Sequence, residues 1–411
     1  MSRSPLKKDK TYLNCDYILE NRFCPNCVQE NTDIQKKFHH LFVHFFGNLT
    51  SGETIPKNNF KVMSKKIIAL ILFAFVFIGC SSQKPIANKV ATSSSIAATP
   101  NDFIKNISIE DLRTNLTIIA SDEMEGRDTG SGGQKKAGRY IIDFYKKHGV
   151  GFPKGATDYY QHIPAAYLNA KYDEGLPDSE NIWAFIEGSE KPDEIVVVSA
   201  HYDHIGMRKG EIYNGADDDG SGTVAIMEIA AAFQKAKDEG HGPKRSILIL
   251  HMTGEEHGLH GSRYYSEHPL FPLANTVADV NIDMIGRRDK FHEDSNNYVY
   301  LIGSNYLSTD LFNVCEAVNK KYNFLTIDYK YNDKSDPNQF YYRSDHYNFA
   351  KNGIPVVFIF NGTHADYHQP TDEVSKIEFD ALTTRTKYGF AIAWEIANRE
   401  NKLVVDKTDG K

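Results

Sequence analysis

Apolar residues along this chain gather in short runs, with segments of helical spacing between them. Five runs rich in Val, Ile, Leu and Phe stand out: 195–200 (IVVVSA), 246–252 (SILILHM), 277–284, 298–302 and 356–360 (VVFIF). Short runs of this kind, with little polar alternation, predict strands covered on both faces. Segments 109–120, 133–148, 223–237 and 378–398 instead space their apolar residues for one face of a helix. Strands alternating with helices predict an α/β sandwich, with a mixed, mostly parallel central sheet and helices on both faces.

In such sheets, ligands bind beyond the carboxyl ends of the strands. Here metal-type side chains follow the runs. IVVVSA leads into His201 and Asp203, SILILHMT into Glu255 and Glu256, 277–282 into Asp283, and VVFIF towards His368. Residues 214–222 read NGADDDGSG, three adjacent carboxylates fenced by glycines. Charges this close repel, so the stretch is either a solvated turn or a place for cations. Carboxylate and imidazole donors suit zinc and similar divalent ions. Two ions roughly 3.5–4 Å apart need a shared carboxylate to screen their repulsion.

The motifs HYD, NGADDDGSG, TGEEHGLHGS, NIDMIG and DYHQPTD follow one another in order, with SDEMEGRDTGS ahead of them. This series resembles the co-catalytic zinc aminopeptidase family, whose relatives include glutamate carboxypeptidases and glutaminyl cyclases, over residues 111–398. The resemblance implies a zinc exopeptidase-like sandwich holding two divalent metal ions, Zn2+. It assigns His201 to one ion and His368 to the other, with Asp218 as the bridge. Glu256 ligates one ion and Asp283 the other. Glu255 is the general base for water held between them, and hands the proton to the leaving amine.

Around these ligands, Asp203 is placed to accept the free N–H of His201 and fix its tautomer. Asp372 either serves His368 in the same way or starts the last helix. Asp217 and Asp219 read as turn or helix-capping residues. The segment RSDH, 343–346, resembles a family stretch lining the substrate pocket, which makes Asp345 a candidate for substrate contact. Tyr341 beside it is either an oxyanion donor or a packed aromatic. His204, His251, His257, His260 and His364 are set aside as chance neighbours among 16 histidines, His251 as a core residue, and Cys315 as a small apolar residue in a helix.

The implied function is a zinc-dependent exopeptidase, an aminopeptidase acting on peptides. The alternatives are a glutaminyl cyclase-like transferase with a single zinc, or a non-catalytic envelope receptor on a peptidase scaffold. Having both His201 and Asp218 favours two ions over the cyclase, and keeping Glu255 favours an enzyme over a receptor.

Bulk properties add location. The chain has 411 residues and a formal charge of −7, with no basic stripe, which excludes a nucleic-acid partner. Residues 63–83 (MSKKIIALILFAFVFIGCSSQ) carry two lysines, then an apolar run too short to span a bilayer, then Gly79-Cys80. The end of this stretch resembles a bacterial lipobox. That implies a signal peptide over 63–79, a lipid anchor at Cys80, and a location in the bacterial cell envelope facing the periplasm or exterior. Residues 1–62 then read as an upstream extension outside the native chain, or as disordered, and their Cys24 and Cys27 find no second pair. Residues 80–100 read as a flexible tether and 101–411 as a single metallopeptidase domain. Cleaved before Cys80, the mature chain would keep only Cys80 and Cys315 of the five cysteines, which leaves no intrachain disulfide framework.

Overall fold

Residues 98–408 are described by the computed structural model. In chain order they form α1 (Pro100–Ile104), α2 (Ile109–Ile119), α3 (Gly132–Lys147), β1 (Tyr160–Ile163), α4 (Ala165–Leu168), β2 (Ser179–Ile186), β3 (Lys191–His201), β4 (Met207–Arg208), β5 (Glu211–Ile212), α5 (Gly222–Asp238), β6 (Arg245–Met252), α6 (His260–Glu267), β7 (Thr276–Ile282), β8 (Tyr298–Ile302), α7 (Thr309–Tyr322), β9 (Thr326–Asp328), α8 (His346–Ala350), β10 (Val356–Phe360) and α9 (Phe379–Asn398). Stretches 63–83 and 1–62, the Cys80 anchor and the tether up to residue 97 lie outside the described residues. Among the described residues, no helix is long and apolar enough to cross a membrane.

Eight strands make one sheet, in the order β1-β2-β6-β3-β7-β10-β8-β9. The central four, β6, β3, β7 and β10, run parallel. On either side, β2 joins β6 antiparallel and β8 joins β10 antiparallel. The sheet is therefore mixed and mostly parallel, as the apolar runs predict. β1, β2 and β9 were not foreseen. β2 opens with Ser179-Glu180-Asn181, buried polar residues that interrupt any apolar run.

Side chains along a strand alternate between faces, and here both faces are buried. Val196, Val198 and Ala200 of β3 join one core with Ile247 and Ile249 of β6, packed under α2, α3, α5 and α9. Ile195 and Val197 join the other core with Leu248, Leu250 and Met252, packed against Tyr265 of α6 and Phe349 of α8. Fully burying each Val, Ile or Leu contributes about 1.5–3 kcal/mol. This holds the four parallel strands in register, His201 level with Met252 and Ile282 level with Ile359. Their carboxyl ends thus form one rim, and the loops that leave it carry the polar motifs.

Candidate metal centre

Four of the motifs follow strands of the rim, and the acidic triplet leads into α5. His201 is the last residue of β3. Its Nε2 lies 3.3 Å from Asp218 Oδ1 and 3.6 Å from Asp283 Oδ1. The other oxygen of Asp218, Oδ2, lies 3.0 Å from His368 Nε2. His368 Nε2 is also 2.9 Å from Glu256 Oε2. Asp218 therefore stands between two groups of donors and turns one carboxylate oxygen towards each. The structure brings together all five residues proposed as ligands, from loops that are distant in sequence.

The middle of the acidic triplet is aimed by its neighbours. The Asp217 carboxylate accepts from the Gly286 N–H at 2.6 Å, from Ser221 Oγ at 3.0 Å, and from Asn361 Nδ2 and His364 Nε2 at 3.1 Å each. Burial works against its charge, but the bond and field of His364 hold Asp217 below the usual carboxylate range. Asp219 accepts from the N–H of Gly222, where α5 starts, at 2.8 Å, and from that of Met284 at 3.1 Å. Burial and the nearby Asp283 push its carboxyl well up. The three carboxylates thus point three ways, and the outer two are turn and helix-start residues as proposed.

Two further residues hold this loop. Arg127 is fully buried, and its guanidinium donates to the carbonyls of Ile119, Tyr202, Asn214 and Gly215 at 2.7–3.0 Å. Asp372 accepts the N–H groups of Asp217 and Asp218 at 3.0 and 3.1 Å. This corrects both roles considered for Asp372: it neither orients His368 nor starts α9, whose first residue is Phe379. Burial and Asp217 push its carboxyl up to about 6. Gly215, at φ 53°, has no room for a side chain, because a Cβ would sit 2.3 Å from the Asp218 carbonyl and 2.5 Å from the His204 ring.

Asp203 acts on His201 through a different atom from the one proposed. His201 Nδ1 lies 3.1 Å from the Asp203 backbone oxygen and 3.7 Å from its carboxylate. That carboxylate instead accepts from Thr129 Oγ1 at 3.0 Å and from the Glu255 N–H at 3.3 Å. Ser344 of the RSDH segment donates to Asp283 Oδ2 at 2.7 Å.

An open cleft meets the cluster. It is lined by the polar His201, Asp218, Glu255 and Asp283 and by the apolar Met284, Phe340, Phe358 and Phe360, and Arg343 and Tyr367 also border it. The Tyr367 ring stacks on His368, and its hydroxyl lies 3.3 Å from Arg343 Nη2. Burial pushes the Glu255 carboxyl well up, and Glu256 and Asp283 add to this while His201 opposes it. Tyr341 does not line the cavity. It packs against Tyr306, Tyr347 and His346, so the packed-aromatic alternative holds and the oxyanion role is corrected. Asp345 is fully buried behind the site, with its carboxyl raised to about 7 by burial, and is not part of the lining.

Not every histidine set aside is a bystander. His251 is one, buried in β6 beside Tyr145 Oη at 2.6 Å. His364 braces Asp217, and His257 bridges Asp128 and Glu174. His204 is the residue that the sequence reading missed: its Nδ1 lies 2.7 Å from Glu256 Oε1 and 3.8 Å from Asp218 Oδ2. It lies three residues past the end of β3, in a loop where no period says which way a side chain points.

The cluster fits divalent metal ions. Asp218 Oδ2, Glu256 Oε1 and both ring nitrogens of His204 are buried and make no hydrogen bond. Buried polar atoms are almost always paired, so converging orphan donors call for a cation. Their chemistry, carboxylate oxygen and imidazole nitrogen, is that of a zinc-type site. The groups His201–Asp219–Asp283 and His204–Asp218–Glu256 each gather candidate ligand atoms within 4.8 Å.

Residues 181–392, over half of the chain, match the model of Peptidase family M28. The chain belongs to peptidase family M28. A probable zinc metalloprotease of Pyrenophora tritici-repentis is 35% identical to it over 112 residues, which cover 26% of this chain and 22% of that protein. The chain thus spans under a quarter of the length of that relative. Among solved structures, the LapA aminopeptidase of Legionella pneumophila matches with a TM-score of 0.56 at 20% identity, over 78% of this chain and 79% of that one. The glutaminyl cyclase of Porphyromonas gingivalis matches with a TM-score of 0.52 at 18% identity, over 70% and 98%. Both share the α/β sandwich fold with this chain.

Proposed function

We propose that this M28 chain is a zinc-dependent aminopeptidase that removes N-terminal residues from peptides. The observation that carries this reading is the Asp218 carboxylate, with one oxygen facing His201 and Asp283 and the other facing His368 and Glu256. Such a carboxylate suits two ions. When bound, two zinc ions supply Lewis acidity to a peptide carbonyl and make water more acidic. His201, Asp218 and Asp283 would hold one ion, and Asp218, Glu256 and His368 the other.

The chain's own groups do the rest. Glu255 borders the cavity beside both groups of donors, within reach of the reacting carbonyl. Its carboxylate takes a proton from water as the water oxygen bonds to the carbonyl carbon, then passes it to the departing nitrogen as the C–N bond breaks. Met284, Phe340, Phe358 and Phe360 offer an apolar surface to the first side chain. The substrate class is therefore peptides beginning with an apolar or aromatic residue.

A panel of aminoacyl and N-blocked chromogenic substrates, with and without a chelator, tests this. Hydrolysis of leucyl or phenylalanyl substrates, lost on chelation and on N-blocking, is the expected result. Cyclisation of N-terminal glutaminyl peptides by a chain holding one zinc would replace the reading with the cyclase. Binding without turnover would replace it with the receptor.

The location rests on residues 63–83. We place the enzyme at the bacterial cell envelope, tethered through a lipid on Cys80, where it would trim incoming peptides. Incorporation of a labelled fatty acid, abolished by Cys80→Ser, is the expected outcome. An unlabelled chain would remove the anchor.

A further inference from the structure

We propose that His204 is a sixth protein ligand of the metal centre, giving the ion held by Glu256 and His368 a second imidazole. This rests on the two-ion reading above and adds a residue that reading does not use.

His204 is held in place from both sides. Its backbone N–H donates to the Arg127 carbonyl at 3.2 Å, and Arg127 is itself anchored to four carbonyls of the surrounding loops. Gly215 packs so closely against the ring that even a methyl group there would collide with it. The ring is fully buried, and neither nitrogen makes a hydrogen bond. Nδ1 nevertheless lies 2.7 Å from Glu256 Oε1 and 3.8 Å from Asp218 Oδ2, two oxygens that are also buried and unpaired. A hydrogen bond from Nδ1 to Glu256 would account for one of these oxygens but not for Asp218 Oδ2, which faces the same nitrogen. Three orphan donors converging on one point are what a shared cation satisfies.

The two ion positions then differ in chemistry. One offers His201, Asp283 and an oxygen of Asp218. The other offers His204, His368, Glu256 and the second oxygen of Asp218. With four protein donors, two of them imidazoles, the second position is the more nitrogen-rich, and it binds zinc, cobalt or nickel more tightly than the first. The centre should therefore load in order, the His204 position first.

Metal titration of the apo full-length chain, with zinc in competition with a chromogenic chelator, tests this. The unsubstituted chain should bind two ions with distinct affinities. His204→Gln should weaken the tighter one by about tenfold or more, as His368→Gln does, while His201→Gln weakens the other. Two ions bound by His204→Gln with unchanged constants would overturn the proposal and leave the two-ion reading standing. Fewer than two ions on the unsubstituted chain would remove both. X-ray absorption of the unsubstituted, zinc-loaded chain counts imidazoles without any variant, so a misfolded His204→Gln does not end the test. About 1.5 imidazoles per zinc supports His204 as a ligand. About one per zinc, which a mere hydrogen bond to Glu256 predicts, overturns it.

Discussion

Glu255 and Glu256 are adjacent, yet they have separate tasks, because the bend after β6 sends one carboxylate to the cavity and the other to His204 and His368. Replacing Glu255 by Gln keeps the shape but removes the base. Steady-state kinetics should show kcat down by about 10²–10⁴-fold with zinc content unchanged; near-normal turnover would discard the mechanism. Arg127 works at the same scale through structure alone. Arg127→Met strands four buried carbonyls, and urea denaturation should register a loss of at least ~3 kcal/mol. Arg127→Lys should recover only part of this, because an ammonium cannot reproduce the planar fork. Neither Arg127 nor Asp372 was legible as a partner of the triplet. Their contacts with this loop span 87 to 155 residues of sequence, and no local pattern records them.

At the scale of elements, the strand ends explain why so much of the site could be read. A strand buried on both faces shows as an apolar run, its carboxyl end is where the run stops, and His201, Glu255, Glu256 and Asp283 come at or just beyond such ends. Loops gave no such guidance. The short helical turn Phe340–Tyr342 rotates Tyr341 into the core and leaves Phe340 and Arg343 on the cavity. His368, at φ 56°, takes a left-handed backbone that its residue type does not announce. The start of α5 is equally constrained. A Cβ on Gly222 would lie 2.3 Å from the Ile282 carbonyl and 2.4 Å from Asp219 Oδ1. Gly222→Ala should therefore push α5 away from β7, lowering stability by about 1–3 kcal/mol and weakening zinc binding. Unchanged melting temperature and metal content would show that the helix yields without moving Asp218.

Across the whole molecule, α5 links the centre to a second polar place, where it meets α2 and α3. Glu228 lies nearly buried along this helix, accepts from Asn115 Nδ2 at 2.8 Å, and is pushed up to about 8 by burial. An unfolded glutamate ionises near 4.5. Between these values the folded chain keeps a proton that the unfolded chain has lost, so stability falls as pH rises from about 4.5 to about 8. Glu228→Gln removes that dependence while keeping an acceptor for Asn115. Its melting temperature should gain on the unsubstituted chain steadily across this window and level off above it. A constant difference from pH 5 to 9 would show that Glu228 ionises normally.

Sequence alone determined the sandwich, the order of its motifs and the residues at its strand ends, because burial on two faces imposes a pattern that a single strand or helix already displays. Tertiary structure alone decided which atoms meet: the two oxygens of Asp218 facing different histidines, the carbonyl rather than the carboxylate of Asp203, and His204 against Glu256. Those contacts depend on loop directions set by distant partners such as Arg127 and Asp372, and the direction of a loop side chain has no period for a sequence to carry.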